Sequence, residues 1–155
     1  MTALLQIITG GIGSLGFAVL FNIRRWRMLA ATFGGLMSWA LYLLLFKFIP
    51  SEPTCYFIVA LVCSLYAEVM ARALKSPTTA FITTALIPMV PGGSLYYTMA
   101  YAFDSNLERF LTKAVYTLKL ASALALGIIV AATLTKLYMK IKNSKQSMTQ
   151  TNPVH

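Results

Sequence analysis

One carboxylate stands out among the side chains of this sequence that could do chemistry, because it lies inside an otherwise apolar stretch. That residue is Glu68, and Arg72 follows it by four positions, on the same face of a predicted helix. A carboxylate inside a membrane span costs about 2.5 to 3.5 kcal/mol to insert, so it is a candidate to bind a proton or a substrate. A structural ion pair with Arg72 at the membrane boundary is the alternative, and the two roles are compatible.

The other polar residues do not favour enzyme chemistry. The single histidine, His155, lies at the end of the chain, and Cys55 and Cys63 are about 12 Å apart on one predicted helix, too far for a disulfide. No cluster of His, Cys, Asp and Glu has the spacing of metal ligands, and no serine or cysteine has a histidine partner within an apolar stretch. The sequence therefore predicts a protein that is not an enzyme and that holds no metal or cofactor.

The stretch 87–97, IPMVPGGSLYY, is the strongest signal for a binding site. Pro88 cannot donate a backbone hydrogen bond to Thr84, and Pro91 cannot donate one to Ile87, so two carbonyls are left free. Lipid cannot satisfy them, and such backbone is tolerated at membrane depth only if it is buried in protein or lines a wet cavity. We therefore expect a break near the middle of a span, with an inert proline kink as the alternative.

The residues after the two prolines predict the start of a second half-helix. Gly92 and Gly93 permit backbone angles that other residues resist, and Ser94 is placed to cap the new helix. The free amides and the positive end of the helix dipole at such a start suit a carboxylate ligand. Transporters with broken helices bind their substrates in this way. We therefore take this stretch as the candidate substrate site.

Five further residues each have two interpretations. Tyr96, Tyr97 and Tyr101 either line the substrate path with their hydroxyls or form an aromatic belt at the membrane surface. Thr84 either bonds a neighbouring carbonyl or helps to bind the substrate. Lys119 either extends to the membrane surface or attracts an anion.

The stretch 11–16, GIGSLG, matches the GxGxxG pattern of dinucleotide-binding loops. That interpretation needs a preceding strand and an acidic residue about 20 positions later, and the region that follows holds three arginines instead. We expect that Gly10, Gly13 and Gly16 form a smooth helix face for close packing.

These residues have to be positioned by membrane-spanning helices. Of the 155 residues, 58% are hydrophobic and 11% charged, whereas a soluble domain carries about 25% charged residues. The length fits five spans of about 20 residues with short loops. Apolar runs separated by basic, proline-containing or polar turns give the predicted spans 3–22, 28–49, 54–73, 77–103 and 114–138. The predicted fold is an all-α integral membrane protein of five transmembrane helices, the fourth broken at 88–93.

The distribution of basic residues predicts how the chain crosses the membrane. Arginines and lysines are concentrated in the first loop, the third loop and the C-terminal tail, while the other two loops have little net positive charge. The positive-inside rule then puts the N-terminus outside and the C-terminus in the cytoplasm. The membrane domain is predicted to cover 1–139, and 140–155 to form a disordered cytoplasmic tail. We take the net charge of +9 as a topology signal rather than as a nucleic-acid surface.

Three segments of the sequence resemble a known family. They are 66–72, YAEVMAR, then 75–77, KSP, and then 87–98, IPMVPGGSLYYT. Together they look like the C-terminal half of the threonine/serine exporter (ThrE) family, and the proline and glycine core with its flanking tyrosines is the specific part. In that family this half occurs fused to an N-terminal half or as a separate small protein. The separate form resembles the smaller subunit of a two-subunit exporter, which has also been associated with succinate.

The resemblance implies one subunit of a proton-driven threonine or serine exporter in the bacterial inner membrane. Its partner would be an N-terminal-half protein with a soluble domain and about five spans. Two halves of opposite topology would then form the site at their interface. The substrate carboxylate would lie near Gly92, Gly93 and Ser94. Glu68 would bind the substrate ammonium or the coupling proton, and Arg72 would hold Glu68 charged in one state.

Two alternative functions stay open. A dicarboxylate such as succinate would require a cation such as Arg72 or Lys119. A subunit of another class would have a structural or accessory role and would transport nothing. Self-association into a homo-oligomer within the lipid bilayer also stays open, and no nucleic-acid partner is expected.

Overall fold

The chain folds into a bundle of helices connected by short turns. The computed structural model describes residues 3–104 and 107–150, with side chains described as far as Lys142. The elements in these residues are α1 (Ala3–Leu20), α2 (Trp26–Phe48), α3 (Glu52–Ala73), α4 (Thr78–Leu86), a 3₁₀ turn (Ile87–Met89), α5 (Gly92–Phe103) and α6 (Leu107–Gln150). The predicted all-α class is therefore confirmed for the part of the chain that the structure describes.

Four of these helices are long and apolar enough to cross a membrane. They are α1, α2, α3 and the part of α6 from Leu107 to Lys142. Large apolar side chains are exposed on them, among them Leu20, Phe48 and Ile129. An outer surface this apolar is stable against lipid and unfavourable in water. The architecture is that of a multi-pass membrane protein.

The region predicted as the fourth span, 77–103, consists of two short helices. Helix α4 has 9 residues and α5 has 12, so they are about 14 and 18 Å long. Neither crosses a hydrocarbon core of about 30 Å by itself. Five spans are therefore not confirmed, because the described residues contain four helices of spanning length and a broken pair between α3 and α6.

The last helix is longer than predicted at both ends. The predicted span is 114–138, whereas α6 has 44 residues and an axial length of about 66 Å. No proline occurs between Leu107 and Gln150, so the sequence has no strong helix breaker there. The predicted disordered tail of 140–155 differs from the structure over 140–150, where the backbone is helical, and 151–155 lie outside the described residues.

Helices α3 and α6 run side by side in the same direction. Near the start of α3, Pro53 and Thr54 line a groove together with Lys119 of α6. Further along both helices, Gly127 of α6 packs so closely on α3 that an added Cβ would lie 2.7 Å from the Cβ of Ala60. Small residues at this crossing therefore make α3 and α6 a closely packed pair.

The face of α1 that packs against α2 differs from the predicted one. The predicted face consists of Gly10, Gly13 and Gly16. Of these, Gly13 and Gly16 have no neighbouring atoms within 4 Å of an added Cβ. The buried residues of α1 are instead Gly11, Ser14 and Ala18. Leu36 of α2 lies directly over Gly11. The side chains of α2, and not the glycine spacing alone, therefore determine which face of α1 is packed.

Candidate functional site

The break between α4 and α5 is a short, hydrogen-bonded turn. After the 3₁₀ turn, the Val90 N–H donates to the Ile87 carbonyl over 3.1 Å. The Gly92 N–H then donates to the Val90 carbonyl over 2.7 Å, around Pro91 at φ −74° and ψ 54°. These values define an inverse γ-turn, a tight change of direction at a single residue. Of the two carbonyls predicted to be free, that of Ile87 therefore has a donor.

The first turn of α5 differs from the prediction in two ways. No described glycine has a positive φ, so Gly92 and Gly93 use no special backbone freedom in this conformation. Ser94 is not the cap, because Pro91 occupies the capping position and no side chain bonds the free amides. The helix start is open, since Gly92 and Gly93 are exposed and an added Cβ on either would meet no atom within 4 Å.

One layer of contacts holds the break against α1 and α2. Gly10 of α1 lies between Trp39 of α2 and Pro88, because an added Cβ on Gly10 would be 3.5 Å from the Trp39 Cβ and 3.6 Å from the Pro88 Cβ. Met89, the next residue in the chain, is fully buried. The Trp39 Nε1 is buried and has no hydrogen-bond partner. The indole that flanks the break therefore carries an unused N–H donor.

A second layer lies one helical turn further along α1. Ser14 contacts Gly35 so closely that no side chain fits at position 35, and the Thr84 carbonyl oxygen would be 3.6 Å from a Gly35 Cβ. Ser14 is fully buried and its hydroxyl has no partner, whereas the Thr84 hydroxyl donates to the Ala80 carbonyl over 2.8 Å. Pro88 has no N–H with which to serve the Thr84 carbonyl. An unsatisfied hydroxyl and a carbonyl without its helical donor thus lie in one small region.

These unpartnered groups are exceptions to the rule that buried polar atoms are hydrogen-bonded. Each such group costs about 1–3 kcal/mol relative to a satisfied one, so a ligand or a second conformation that satisfies it is favoured. Neither Ser14 nor Trp39 was predicted from the sequence as a functional residue. Ser14 is part of the small-residue stretch 11–16, which predicts packing only, and Trp39 is one of many apolar residues in its span.

Glu68 and Arg72 form the predicted ion pair. The Arg72 Nη2 lies 2.9 Å from the Glu68 Oε2, one helical turn apart on α3. The Glu68 side chain is 17% exposed and that of Arg72 is 44% exposed, so the pair lies at the edge of the bundle. An accessible ion pair contributes about 0–1 kcal/mol, so it can open at little cost to the fold.

Glu68 and the break lie at different depths in the bundle. Met89 belongs to the buried cluster that contains Val59 of α3. Glu68 lies outside this cluster, five residues or about 8 Å along the helix axis beyond its last α3 member, Cys63. The ammonium and carboxylate of an α-amino acid are joined through one carbon atom, so one substrate does not reach both places. In this conformation, the residues predicted for the two ends of the substrate do not form one site.

The remaining predicted residues lie on α5 and α6. Tyr96 and Tyr97 are 70% and 52% exposed, and their rings meet edge to face with centroids 5.5 Å apart. The Thr98 hydroxyl oxygen lies 3.2 Å from that of Thr117 and links α5 to α6. Lys119 is exposed and lines the groove at the start of α3, away from the break.

One carboxylate with a buried partner, Glu52, was not predicted from the sequence as a functional residue. The prolines around it suggest a turn, but Glu52 is the first residue of α3 and Pro53 is the second. The Tyr42 hydroxyl of α2 donates to the Glu52 Oε1 over 2.7 Å, and Tyr42 is only 8% exposed. A proline in the first helical turn with an acid beside it is the sequence signal that identifies such a helix start.

No group of three or more His, Cys, Asp and Glu side chains that could hold a metal ion occurs in the described residues. Three sets of polar groups could bind a proton or a polar ligand. They are the break with its unpartnered neighbours, the Glu68–Arg72 pair and the Tyr42–Glu52 contact. Each joins or flanks helices that are long enough to cross a membrane.

Comparison with known proteins gives one match. No curated protein and no solved structure matches the chain significantly. The family model described as threonine/serine exporter, ThrE, matches residues 6–134, which is more than half of the 155 residues and includes the whole break. The chain has apolar helices of spanning length and matches a family of transporters, so it is a multi-pass membrane protein. It belongs to the threonine/serine exporter family.

Proposed function

We propose that the chain is one subunit of a secondary-active exporter of threonine and serine, driven by the proton gradient across the bacterial inner membrane. The observation that carries the proposal is the break between α4 and α5, packed against α1 and α2 with unused hydrogen-bonding groups on both. Interrupted helices bind substrates in other transporters because their free backbone groups and helix ends can hold polar ligands at membrane depth.

The groups around the break suit the polar groups of threonine and serine. The open start of α5 at Gly92 and Gly93 offers amide donors and the positive end of a helix dipole to the substrate carboxylate. The substrate hydroxyl can donate to the Thr84 carbonyl and accept from the Trp39 indole N–H. The Trp39 indole N–H has no partner and Pro88 offers the Thr84 carbonyl no N–H, so these two groups can bond the substrate hydroxyl without giving up a helical hydrogen bond to Pro88.

Glu68 is the proposed coupling residue and Arg72 its counter-ion. Their ion pair is accessible and weak, so a proton from nearby water can replace Arg72 as the partner of Glu68. Glu68 lies about 8 Å along α3 beyond the buried cluster that contains Met89, so we assign it to the proton and not to the substrate ammonium. Protonation then releases the Arg72 guanidinium and changes the charge distribution where α3 turns into α4.

The chain is proposed to work with a partner that supplies the other half of the transporter, a protein with a soluble domain and about five spans. Helix α5 packs mainly on α6, and its Leu95, Tyr96 and Met99 are exposed. The break therefore has protein on one side and an uncovered helix beside it. A half of opposite topology would cover this side and complete the site. In the proposed orientation the N-terminus is outside and the C-terminus is cytoplasmic.

A dicarboxylate such as succinate is the alternative substrate. It would need a cation at the break, whereas Arg72 is paired with Glu68 and Lys119 lines the groove at the start of α3. We therefore favour threonine and serine. A structural or accessory subunit that transports nothing is the alternative of another class.

The test is amino-acid export from bacterial cells loaded with a dipeptide that contains threonine or serine. The chain is expressed alone, with the partner half, and as Glu68→Gln or Pro88→Ala with the partner half. We expect export only when both halves are present, and none with Glu68→Gln despite normal membrane insertion. Glu108→Gln is the matched control, because Glu108 is an exposed acid at the start of α6, and it should export normally.

Three results would contradict parts of the proposal. Full export by Glu68→Gln would remove its coupling role. Release of succinate without amino-acid export, followed in the same cultures, would change the substrate to a dicarboxylate. Unchanged turnover with altered assembly of the two halves in both variants would make the chain a structural subunit.

A further inference from the structure

Tyr42 and Glu52 form a partly buried polar contact at the end of α3 opposite Glu68. The Tyr42 hydroxyl donates to the Glu52 Oε1 over 2.7 Å and so joins α2 to α3. Glu52 is partly buried and Tyr42 is almost fully buried. A hydroxyl bond to an ionised carboxylate is stronger than one to a neutral acid, so this contact depends on whether Glu52 carries a proton.

Tyr42 connects this contact to the helix break. Its ring centroid lies 5.3 Å from that of Trp39 and 5.5 Å from that of Tyr56, which it meets edge to face. Met89 of the 3₁₀ turn packs in the same buried cluster as Tyr42 and Tyr56. Trp39 in turn flanks Pro88. A change at the Tyr42 hydroxyl can therefore reach the break through the packed side chains of this cluster.

The charge of Glu52 has few neighbours that could hold it fixed. Tyr42 from α2 and Cys55 and Tyr56 from α3 interact with it. Lys47 lies in the last turn of α2, and Lys119 of α6 lines the groove beside the adjacent Pro53. The bonded partner of Glu52 is the Tyr42 hydroxyl, whereas that of Glu68 is the Arg72 guanidinium.

We propose that Glu52, positioned by Tyr42, is a proton-binding site whose state is transmitted to the helix break. Binding takes one proton from the adjacent water, converts the carboxylate into a carboxylic acid and removes the negative charge that the Tyr42 hydroxyl serves. The Tyr42 ring is then free to shift against Trp39. Proton binding at Glu52 stands by itself, whereas its use in transport rests on the proposed function.

Trp39 provides a direct readout of this site in the full chain. The chain has two tryptophans, and Trp26 is 77% exposed and lies about 20 Å along α2 from Trp39, so Trp26→Phe leaves Trp39 as the single reporter. The protein is inserted into vesicles of phosphatidylethanolamine and phosphatidylglycerol. Tryptophan emission is then followed from acid to neutral pH. We expect one titration step in this background.

Two variants and one control assign the step. Glu52→Gln should abolish it, and Glu68→Gln should leave it unchanged because Glu68 lies at the other end of α3. Tyr42→Phe should reduce the amplitude of the step, because it removes the hydroxyl that joins the Glu52 carboxylate to the aromatic side chains. A step that persists in Glu52→Gln, or that disappears in Glu68→Gln, would overturn the proposal. Infrared spectra of the same samples provide a second measure, since the carboxylic-acid band gained on acidification should lose intensity in Glu52→Gln.

Transport measurements separate this proposal from the proposed function. In vesicles that contain both halves, Glu52→Gln should lose serine movement driven by an imposed pH gradient at least about 10-fold, while exchange of labelled for unlabelled serine continues. Equal loss of both activities, or of neither, would contradict a role of Glu52 in coupling. If the unsubstituted protein moves no serine but the tryptophan step still depends on Glu52, the proposed substrate fails and the proton site remains.

Discussion

The two carboxylates of α3 lie about 24 Å apart on one helix and have opposite kinds of partner. Glu68 pairs with a cation from its own helix, Arg72, which is 44% exposed. Glu52 accepts a hydrogen bond from another helix, through Tyr42, which is 8% exposed. A partner one turn away on the same helix follows from residue spacing, whereas a partner on another helix depends on the packing of the whole bundle.

The same difference separates their physical effects. The Glu68–Arg72 pair is accessible to water and ions, so it can open without disturbing the core. The Tyr42–Glu52 contact reaches into the aromatic cluster that supports the break. The first contact is therefore suited to exchange partners, and the second is suited to pass a change of charge to the packed helices.

The largest expected effect distinguishes one proton path from two independent sites. We expect Glu52→Gln and Glu68→Gln each to reduce gradient-driven serine export by roughly 100-fold, the loss typical of removing a positioned proton-transfer group. If both residues serve one path, the double variant should be no worse than either single variant. The measurement is the initial rate of serine release from vesicles that contain both halves.

A loss of export in the double variant that equals the product of the two single losses would show that the sites act independently. Glu52 and Glu68 would then not serve one proton path. Asp104→Asn is the control for removal of a negative charge, because Asp104 is exposed beyond the end of α5. It should change the rate by less than about 2-fold.

A second prediction tests the close packing of α6 against the middle of α3. An added Cβ at Gly127 would lie 2.7 Å from the Phe57 carbonyl oxygen, and backbone cannot move aside as a flexible side chain can. We expect Gly127→Ala to lower the free energy of unfolding in detergent micelles by about 3 kcal/mol, at the upper end for overpacking. Gly13→Ala is the matched control, because an added Cβ there meets no atom within 4 Å.

The control should be neutral or raise the stability by up to about 1 kcal/mol, because alanine is the better helix former. Circular dichroism during denaturant titration measures both variants. Equal stability of the two variants would show that α3 and α6 are not held by this close crossing.

The contrast between the two carboxylates also explains what the sequence could predict. The Glu68–Arg72 pair and the break near Pro88 were accessible to prediction because each follows from local geometry, namely an i,i+4 spacing and missing N–H donors. The predicted cap at Ser94 was wrong because α5 begins at Gly92 and Pro91 occupies the capping position. The unused donor of Trp39 and the Tyr42–Glu52 contact lie between helices, so local rules do not contain them.

A third prediction measures the Tyr42–Glu52 contact. Tyr42→Phe keeps the ring and removes only the hydroxyl that serves the Glu52 carboxylate. We expect a loss of about 1.5 kcal/mol of unfolding free energy near neutral pH, as for a hydrogen bond to a charged group. Tyr138→Phe is the control, because Tyr138 is 67% exposed, and it should change nothing measurable. An unchanged stability in Tyr42→Phe would mean that this contact does not contribute to the fold.

The smallest effect is expected at the other end of α3. Arg72→Gln removes an accessible ion pair and should cost less than about 1 kcal/mol. Because exposed charges are screened by salt, this cost should fall towards zero as the salt concentration is raised to about 1 M. The loss in Tyr42→Phe should persist under the same conditions, since its contact is largely buried. Equal salt dependence of the two variants, in denaturant titrations of the same protein, would remove the distinction between an exchangeable pair and one coupled to the core.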